Sequence, residues 1–242
     1  MKDPAPSPGT PADAHKEQKV EAVERALTIL EAFADGSPRL TLSEITKRTG
    51  FYRSTVLRLY ASLARFDYLH RDEDGHFRLG PSLWRLGNLY QSAFNLADRV
   101  RPVLARIAEE TGETATFYVR RGNMRLCLYR QHSSRTIRHV LEEGAMLPID
   151  RGASGRVLIA YSGGEGPFFE AIREAGYYLS LGERDPDIAG LSVPVLATGG
   201  ALVGALNVSG LKSRFEAPGA VERLLPILQE EAQALGRRLA NV

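Results

Sequence analysis

Arg53-Ser54-Thr55 and Arg58 would place two guanidinium forks and two hydroxyls on the first turns of one helix. Those groups suit hydrogen bonding to base edges and phosphates: arginine pairs bidentately with guanine, and hydroxyls reach either. The surrounding chain is basic. Residues 39–71 hold seven Lys/Arg against two Asp/Glu, net +5, whereas residues 91–242 hold 18 against 17. A local excess in one compact segment is the charge pattern of a nucleic-acid face, although solvated surface gives basic stretches too. A second run with chemistry in it is Leu147 to Arg156. There Gly152-Ala153-Ser154-Gly155 leads a glycine turn into a helix, whose unpaired N–H groups suit a carboxylate or another anion. Taken alone it is also an ordinary tight turn. Asn207 and Ser209 interrupt an apolar run two residues apart, so strand alternation puts them on one side, lining a cavity or meeting water.

Enzyme chemistry finds little support. The sequence has no nucleophile elbow, P-loop or dinucleotide fingerprint, and Gly152 to Gly155 lacks the elbow spacing. His15, His70, His76, His132 and His139 are scattered without metal-ligand spacing. Cys127, the single cysteine, sits in an apolar run and reads as core in a reducing cytoplasm. No cofactor, metal or catalytic residue is expected. No run of about 18 uncharged apolar residues exists, so no membrane span is expected. Residues 1–17 are proline-rich, lack the layout of a signal peptide and read as a disordered tail.

The elements that must hold Arg53 and its neighbours can be read from Val20 on. Val20, Val23, Leu27, Leu30 and Ala34 recur at helical spacing, and Gly36-Ser37-Pro38 stops that helix. Thr41 and Glu44 form a capping box, and Leu40 with Ile45 a hydrophobic staple, for a short helix ending at Gly50. A third helix, about Arg53 to Phe66, packs through Val56, Leu59 and Leu63. Two short helices about a glycine turn, the second basic, make a helix-turn-helix whose second helix enters the major groove. Tyr68 to Arg71 and His76 to Leu79 flank Asp72-Glu73-Asp74-Gly75 as a basic hairpin, a wing. Such a module can also serve protein contacts alone. The candidates for DNA contact are Thr41, Lys47, Tyr52, Arg53, Ser54, Thr55, Arg58 and Arg71. Lys47, Arg58 and Arg71 suit phosphates, Arg53 suits a base, and Ser54 suits either. Thr55 and Tyr52 read equally as packing or contact.

Val20 to Leu30, Leu42-Ser43-Glu44-Ile45, Arg53-Ser54-Thr55-Val56, and Tyr68-Leu69 through Phe77-Arg78-Leu79-Gly80 follow one another in the order and spacing of the IclR family of bacterial regulators, which the chain resembles. The resemblance implies a winged helix-turn-helix over 18–80, a linker helix over 81–98 and a GAF-like effector-binding domain over 99–242. It makes the fold mixed, mainly α with a β-hairpin wing and then α+β. It implies an antiparallel sheet with helices on one side and a ligand cavity beneath loops. Leu83, Leu86, Leu89 and Tyr90, with Trp84 beside them, give the linker an apolar stripe that needs a cover. A homodimer, or a tetramer as a dimer of dimers, on palindromic double-stranded DNA follows from the family.

In the second domain the pattern gives a helix over Arg99 to Thr111 and strands over Thr114 to Arg120, Met124 to Gln131 and near Thr136 to Leu141. Helices over Ser154 to Tyr161 and Gly166 to Ala175 follow, then strands over Leu191 to Ala197 and Ala201 to Ser209 and a closing helix. Carry-over from the family places the effector at Ala153, Ser154, Ser180, Gly190, Asn207 and Ser209. Beside them Arg151 or Arg156 would supply a charge that suits an organic acid, although Arg156 reads equally as a solvated helix residue. The chain departs from the family with Gly190 where many members have Cys, Ser180 where many have an acid, and Asp150-Arg151 for a common His-Ala. The expected protein is a ligand-responsive transcription regulator of a catabolic operon, repressor or activator. Its partners would be DNA and a small organic acid, aromatic carboxylates included. A signalling protein or enzyme keeping the winged helix for protein contacts is the alternative.

Overall fold

The structure, a computed structural model, describes residues 19–94, 96–136 and 141–239. The tail expected over 1–17 and most of the strand expected near Thr136 to Leu141 lie outside them, as does His139. The chain divides into two compact units between Leu83 and Trp84.

The first unit holds α1 (Glu21–Glu31), α2 (Leu42–Thr49), α3 (Arg53–Arg65), β1 (Leu69–Arg71) and β2 (Phe77–Leu79). Ile29, Phe33, Leu40, Ile45, Val56, Leu59, Leu63, Leu69 and Phe77 form its core. The capping box is present at α2: the Thr41 hydroxyl accepts from the Glu44 N–H at 3.2 Å, and Glu44 Oε2 accepts from the Thr41 N–H at 2.7 Å. Gly50 closes α2 at φ +72, a conformation that favours glycine. One apolar stripe turns outward: Val20, Val23 and Leu27 are exposed, and α1 packs through Ile29 with Ala26 and Leu30. The hairpin pairs Leu69 with Leu79 and Arg71 with Phe77, and Leu40 bridges to Phe77 as a third short partner. Gly80 must be glycine, because a Cβ there would lie 2.0 Å from the Asp67 carbonyl oxygen.

Helix α4 (Pro81–Phe94) spans the division and α5 (Leu96–Thr111) follows. The second unit is a six-stranded antiparallel sheet in the order β5-β4-β3-β8-β7-β6. Its strands are β3 (Thr114–Arg121), β4 (Met124–Gln131), β5 (Met146–Pro148), β6 (Tyr178–Leu181), β7 (Ile188–Leu196) and β8 (Leu202–Leu211). The remaining helices are α6 (Ala153–Ala160), α7 (Pro167–Ala175), α8 (Lys212–Phe215) and α9 (Ala220–Leu239).

Helices cover both faces of this sheet, which corrects the one-sided arrangement expected. Helices α5 and α9 lie on a face built from Phe117, Val119, Tyr129, Leu191, Val193, Leu206 and Val208. Helix α6 lies on the opposite face, over β7 and β8, with α7 packed against it; Tyr118, Cys127 and Ala205 belong to that core. Period-two alternation sorts neighbouring strand residues between the two cores. Between Phe117 and Tyr118 the register against β4 slips, so Tyr129 and Cys127 face opposite sides although two residues apart. Pro194 is tolerated in β7 because it lies beyond Ser192, the last residue paired to β6, leaving one edge open.

Candidate DNA-binding face and effector cleft

The helix-turn-helix geometry sets Lys47 on α2 and Arg53, Ser54 and Arg58 on α3, all exposed, and none of the three cations pairs with a described carboxylate. Val56, Leu59 and Leu63 take the buried side of α3, so helical periodicity leaves the polar set outward. Thr55 is half-buried. Tyr52 stands at the helix start, 84% exposed, which excludes packing for its ring. Arg71 lies in the hairpin, its Nε 3.3 Å from the Gly75 carbonyl and its guanidinium over the Phe77 ring. The Thr41 hydroxyl is committed to the cap, donating to Glu44 Oε2 at 2.7 Å. Arg48, Arg39 and Arg78 also serve the fold: they pair with Asp35, Asp74 and Asp72. The free cations are thus a subset of the basic segment, and they cluster at the two helices.

In the second unit a cleft of ≈ 50 Å³ brings Ala153, Ser154, Ser180, Gly190, Asn207 and Ser209 together. The register explains how. Ser180 pairs with Gly190 and Gly190 with Ser209, a row across β6, β7 and β8 on the α6 face, with Asn207 two residues along. Gly190 keeps the row open: a Cβ there would lie 3.3 Å from Asn207 Oδ1. Helix α6 begins over the row, with Gly152 before it at φ +79. Arg151 stays outside, exposed and 3.6 Å from Asp150, and Arg156 turns to Glu183 at 3.3 Å with its guanidinium over Phe168. Neither lines the cleft.

The sequence pattern of the IclR helix-turn-helix domain matches residues 22–73, and that of the bacterial transcriptional regulator IclR C-terminal domain matches 88–166 and 168–237. The chain belongs to the IclR family. It is 28% identical over 217 residues to the HTH-type transcriptional regulator BhcR of Paracoccus denitrificans, covering 79% of this chain and 77% of BhcR. It is 28% identical over 247 residues to the glycerol operon regulatory protein of Streptomyces griseus, 92% of this chain and 97% of that one. An IclR homologue from Microbacterium hydrocarbonoxydans, solved in complex with 4-hydroxybenzoate, superposes with a TM-score of 0.77 at 25% identity, covering 91% and 100% of the two chains. As an IclR-family member the chain is a DNA-binding transcription regulator whose second unit is the effector-binding domain.

Within the IclR effector-binding domain, sequence reasoning passes over four lining residues that carry charge or a ring: Arg125, Arg184, Asp185 and Tyr118. Arg125 is buried beneath the α6 start, and burial pushes its guanidinium below the ordinary pKa. The Gly152 N–H, expected to be open to an anion, donates to Glu183 Oε2 at 3.0 Å. Burial works against the Glu183 charge, but bonds from Gly152, Tyr178 and Arg156 outweigh it and hold the carboxyl below its usual range. Cys127 is fully buried and its thiol is pushed by burial up to about 11, so it is protonated and inert at neutral pH. Among the described residues no helix is long and apolar enough to cross a membrane, and no cluster of His, Cys, Asp and Glu could hold a metal.

Proposed function

We propose that this IclR-family protein regulates a catabolic operon by binding a palindromic promoter site as a dimer or dimer of dimers. Its affinity for that site changes when a small organic acid enters the cleft. The observation that carries the reading is the cleft itself. Four neutral polar side chains, Ser154, Ser180, Asn207 and Ser209, gather around the gap left by Gly190 at a helix start, in the domain that the family uses for effectors. Polar groups drawn out of water on a sheet face are expensive unless something meets their hydrogen bonds, and an oxygen-rich ligand does so. The 4-hydroxybenzoate bound by the Microbacterium homologue makes acids the class to try first.

At the DNA end, Lys47 and Arg58 neutralise phosphates and Arg53 reads a base. Tyr52, Ser54, Thr55 and Arg71 complete the contact set. The deciding measurement is fluorescence anisotropy with fragments of the gene's own upstream region, repeated over several salt concentrations and with acids added. Specific binding with a steep negative salt slope, altered by an acid, is the expected outcome. Ser209→Leu, which fills the cleft, should abolish the acid's effect and leave DNA affinity unchanged. Specific DNA binding that no acid alters would sink the effector half of the proposal.

A further inference from the structure

In the cleft, Arg125 makes no ion pair with a described carboxylate, although Glu183 and Asp150 lie close enough to favour its charge. Arg125 on β4 is 3% exposed. Its Nη1 donates to the Arg151 carbonyl at 2.6 Å and meets the Gly152 carbonyl at 3.5 Å, and the guanidinium carbon lies 5.4 Å from the centre of the Tyr118 ring. Its Nε is buried without an acceptor. The nearby carboxylates are taken: Glu183 pairs with Arg156 and Asp150 with Arg151. Asp185, at the cleft rim, is exposed and accepts the Asp187 N–H at 3.1 Å. Two neutral carbonyls and a ring face offset only part of the cost of drawing a guanidinium out of water.

The position of Arg125 is built. A Cβ at Gly155 would lie 2.2 Å from the Ile149 carbonyl oxygen and 2.5 Å from Arg125 Nη1, and one at Gly152, whose φ is +79, would lie 3.1 Å from Nη2, so the guanidinium is packed closely against the first turn of α6. That turn adds the positive end of the helix dipole and N–H groups without intrahelical acceptors, of which the Gly152 N–H is already taken by Glu183. Arg125 and Arg184 are cations of the lining and Asp185 a carboxylate, while Ser154, Ser180, Asn207 and Ser209 are neutral. An anion entering beside Arg125 meets a fixed charge largely withdrawn from water, where a charge-assisted hydrogen bond is strong and a neutral ligand gains nothing comparable.

Resting on the reading of this cleft as the effector site, we infer that Arg125 receives the effector's carboxylate and makes the cleft select an acid over its neutral amide. Arg125 is then a specificity-determining residue, the role that sequence reasoning gives to Arg151 or Arg156.

The test is calorimetry on the full-length protein with lactate, malonate, benzoate and 4-hydroxybenzoate, each paired with its primary amide. At least one acid should bind, its amide should bind about tenfold more weakly or worse, and Arg125→Met should lose about as much for the acid, the scale of one charge-assisted hydrogen bond. Arg125→Lys, which keeps the charge, should lose less than Arg125→Met. No binding by any of the four acids, or an amide bound as tightly as its acid, overturns the inference. So does a folded Arg125→Met protein that keeps the acid's affinity, since Arg125 would then only pin the turn at Arg151. If circular dichroism shows that Arg125→Met does not fold, the acid–amide contrast in the wild type and in Arg125→Lys decides, equal affinities overturning the inference. Promoter binding measured alongside separates the two claims. Intact specific DNA binding with a failed acid series rejects the role of Arg125, whereas absent specific DNA binding rejects the regulator reading beneath it.

Discussion

Arg53 stands at the start of α3, exposed and without a partner among the described residues, where a recognition helix meets base edges. Arg53→Ala should cost about 1–3 kcal/mol against the preferred site and relax preference at one base-pair position. Selection from a randomised DNA pool, followed by titration, reads both effects. The role proposed for Lys47 is a phosphate contact, so Lys47→Ala should weaken all sequences alike and reduce the magnitude of the salt slope by about one. An unchanged slope would remove Lys47 from the phosphate contacts. These residues were legible in sequence because capping, turn and helical phase decide which way a short helix presents its side chains. Arg125 was not. Alternation counted back from Tyr129 puts Arg125 on the α5/α9 face, and the slip between Phe117 and Tyr118 moves it to the α6 face. Bulges depend on the partner strand, which local sequence does not contain.

At the scale of elements, the α2 capping box is the feature with the most complete local signature and the most direct test. Thr41→Ala removes the hydroxyl that accepts from the Glu44 N–H and should destabilise the helix by about 1 kcal/mol. Hydrogen exchange of the α2 amides in the full chain would show it, with the second unit unchanged. The start of α6 has an internal anion, and its pH response follows from Glu183. The folded-state pKa lies below that of the unfolded chain, so this carboxylate's contribution is complete above the unfolded value. It is lost as pH falls through the lower folded one. Between neutral pH and pH about 3, Glu183→Gln should therefore lose less thermal stability than the wild type. Melting curves across that range check it, and parallel pH profiles for the two proteins would show that Glu183 contributes nothing by its charge. Long elements were visible from their periodicity. The edge strands β5 and β6 were not, since Met146 to Pro148 and Tyr178 to Leu181 are too short to show a period and exist through pairing with β4 and β7.

For the whole molecule, two uncovered apolar stripes carry the argument. Val20 at the cap of α1 with Val23 and Leu27 on it, and Trp84, Leu86 and Leu89 on α4, are exposed, and Trp84 reaches 76%. Large apolar side chains gathered on helix faces mark association surfaces, and the proposed dimer would form through these. Trp84→Glu combined with Leu89→Glu should shift the sedimenting species toward monomer and weaken operator binding together. Loss of neither would place the dimer contact elsewhere. The proposed dimer would also give the effector something to act on, because a ligand shifts operator affinity only by binding one arrangement of the DNA-binding units better than another. The coupling is then reciprocal. If an acid changes operator affinity by some factor, operator DNA must change the acid's affinity by the same factor and in the same direction. Calorimetric titration of the acid into protein alone and into protein saturated with operator measures one side of that cycle, and anisotropy with and without saturating acid measures the other. Equal factors from the two arms establish a regulator whose cleft and DNA face share one equilibrium. Unequal factors mean that the acid acts on a species absent from the cycle, such as a tetramer, and the two-state account of this protein fails.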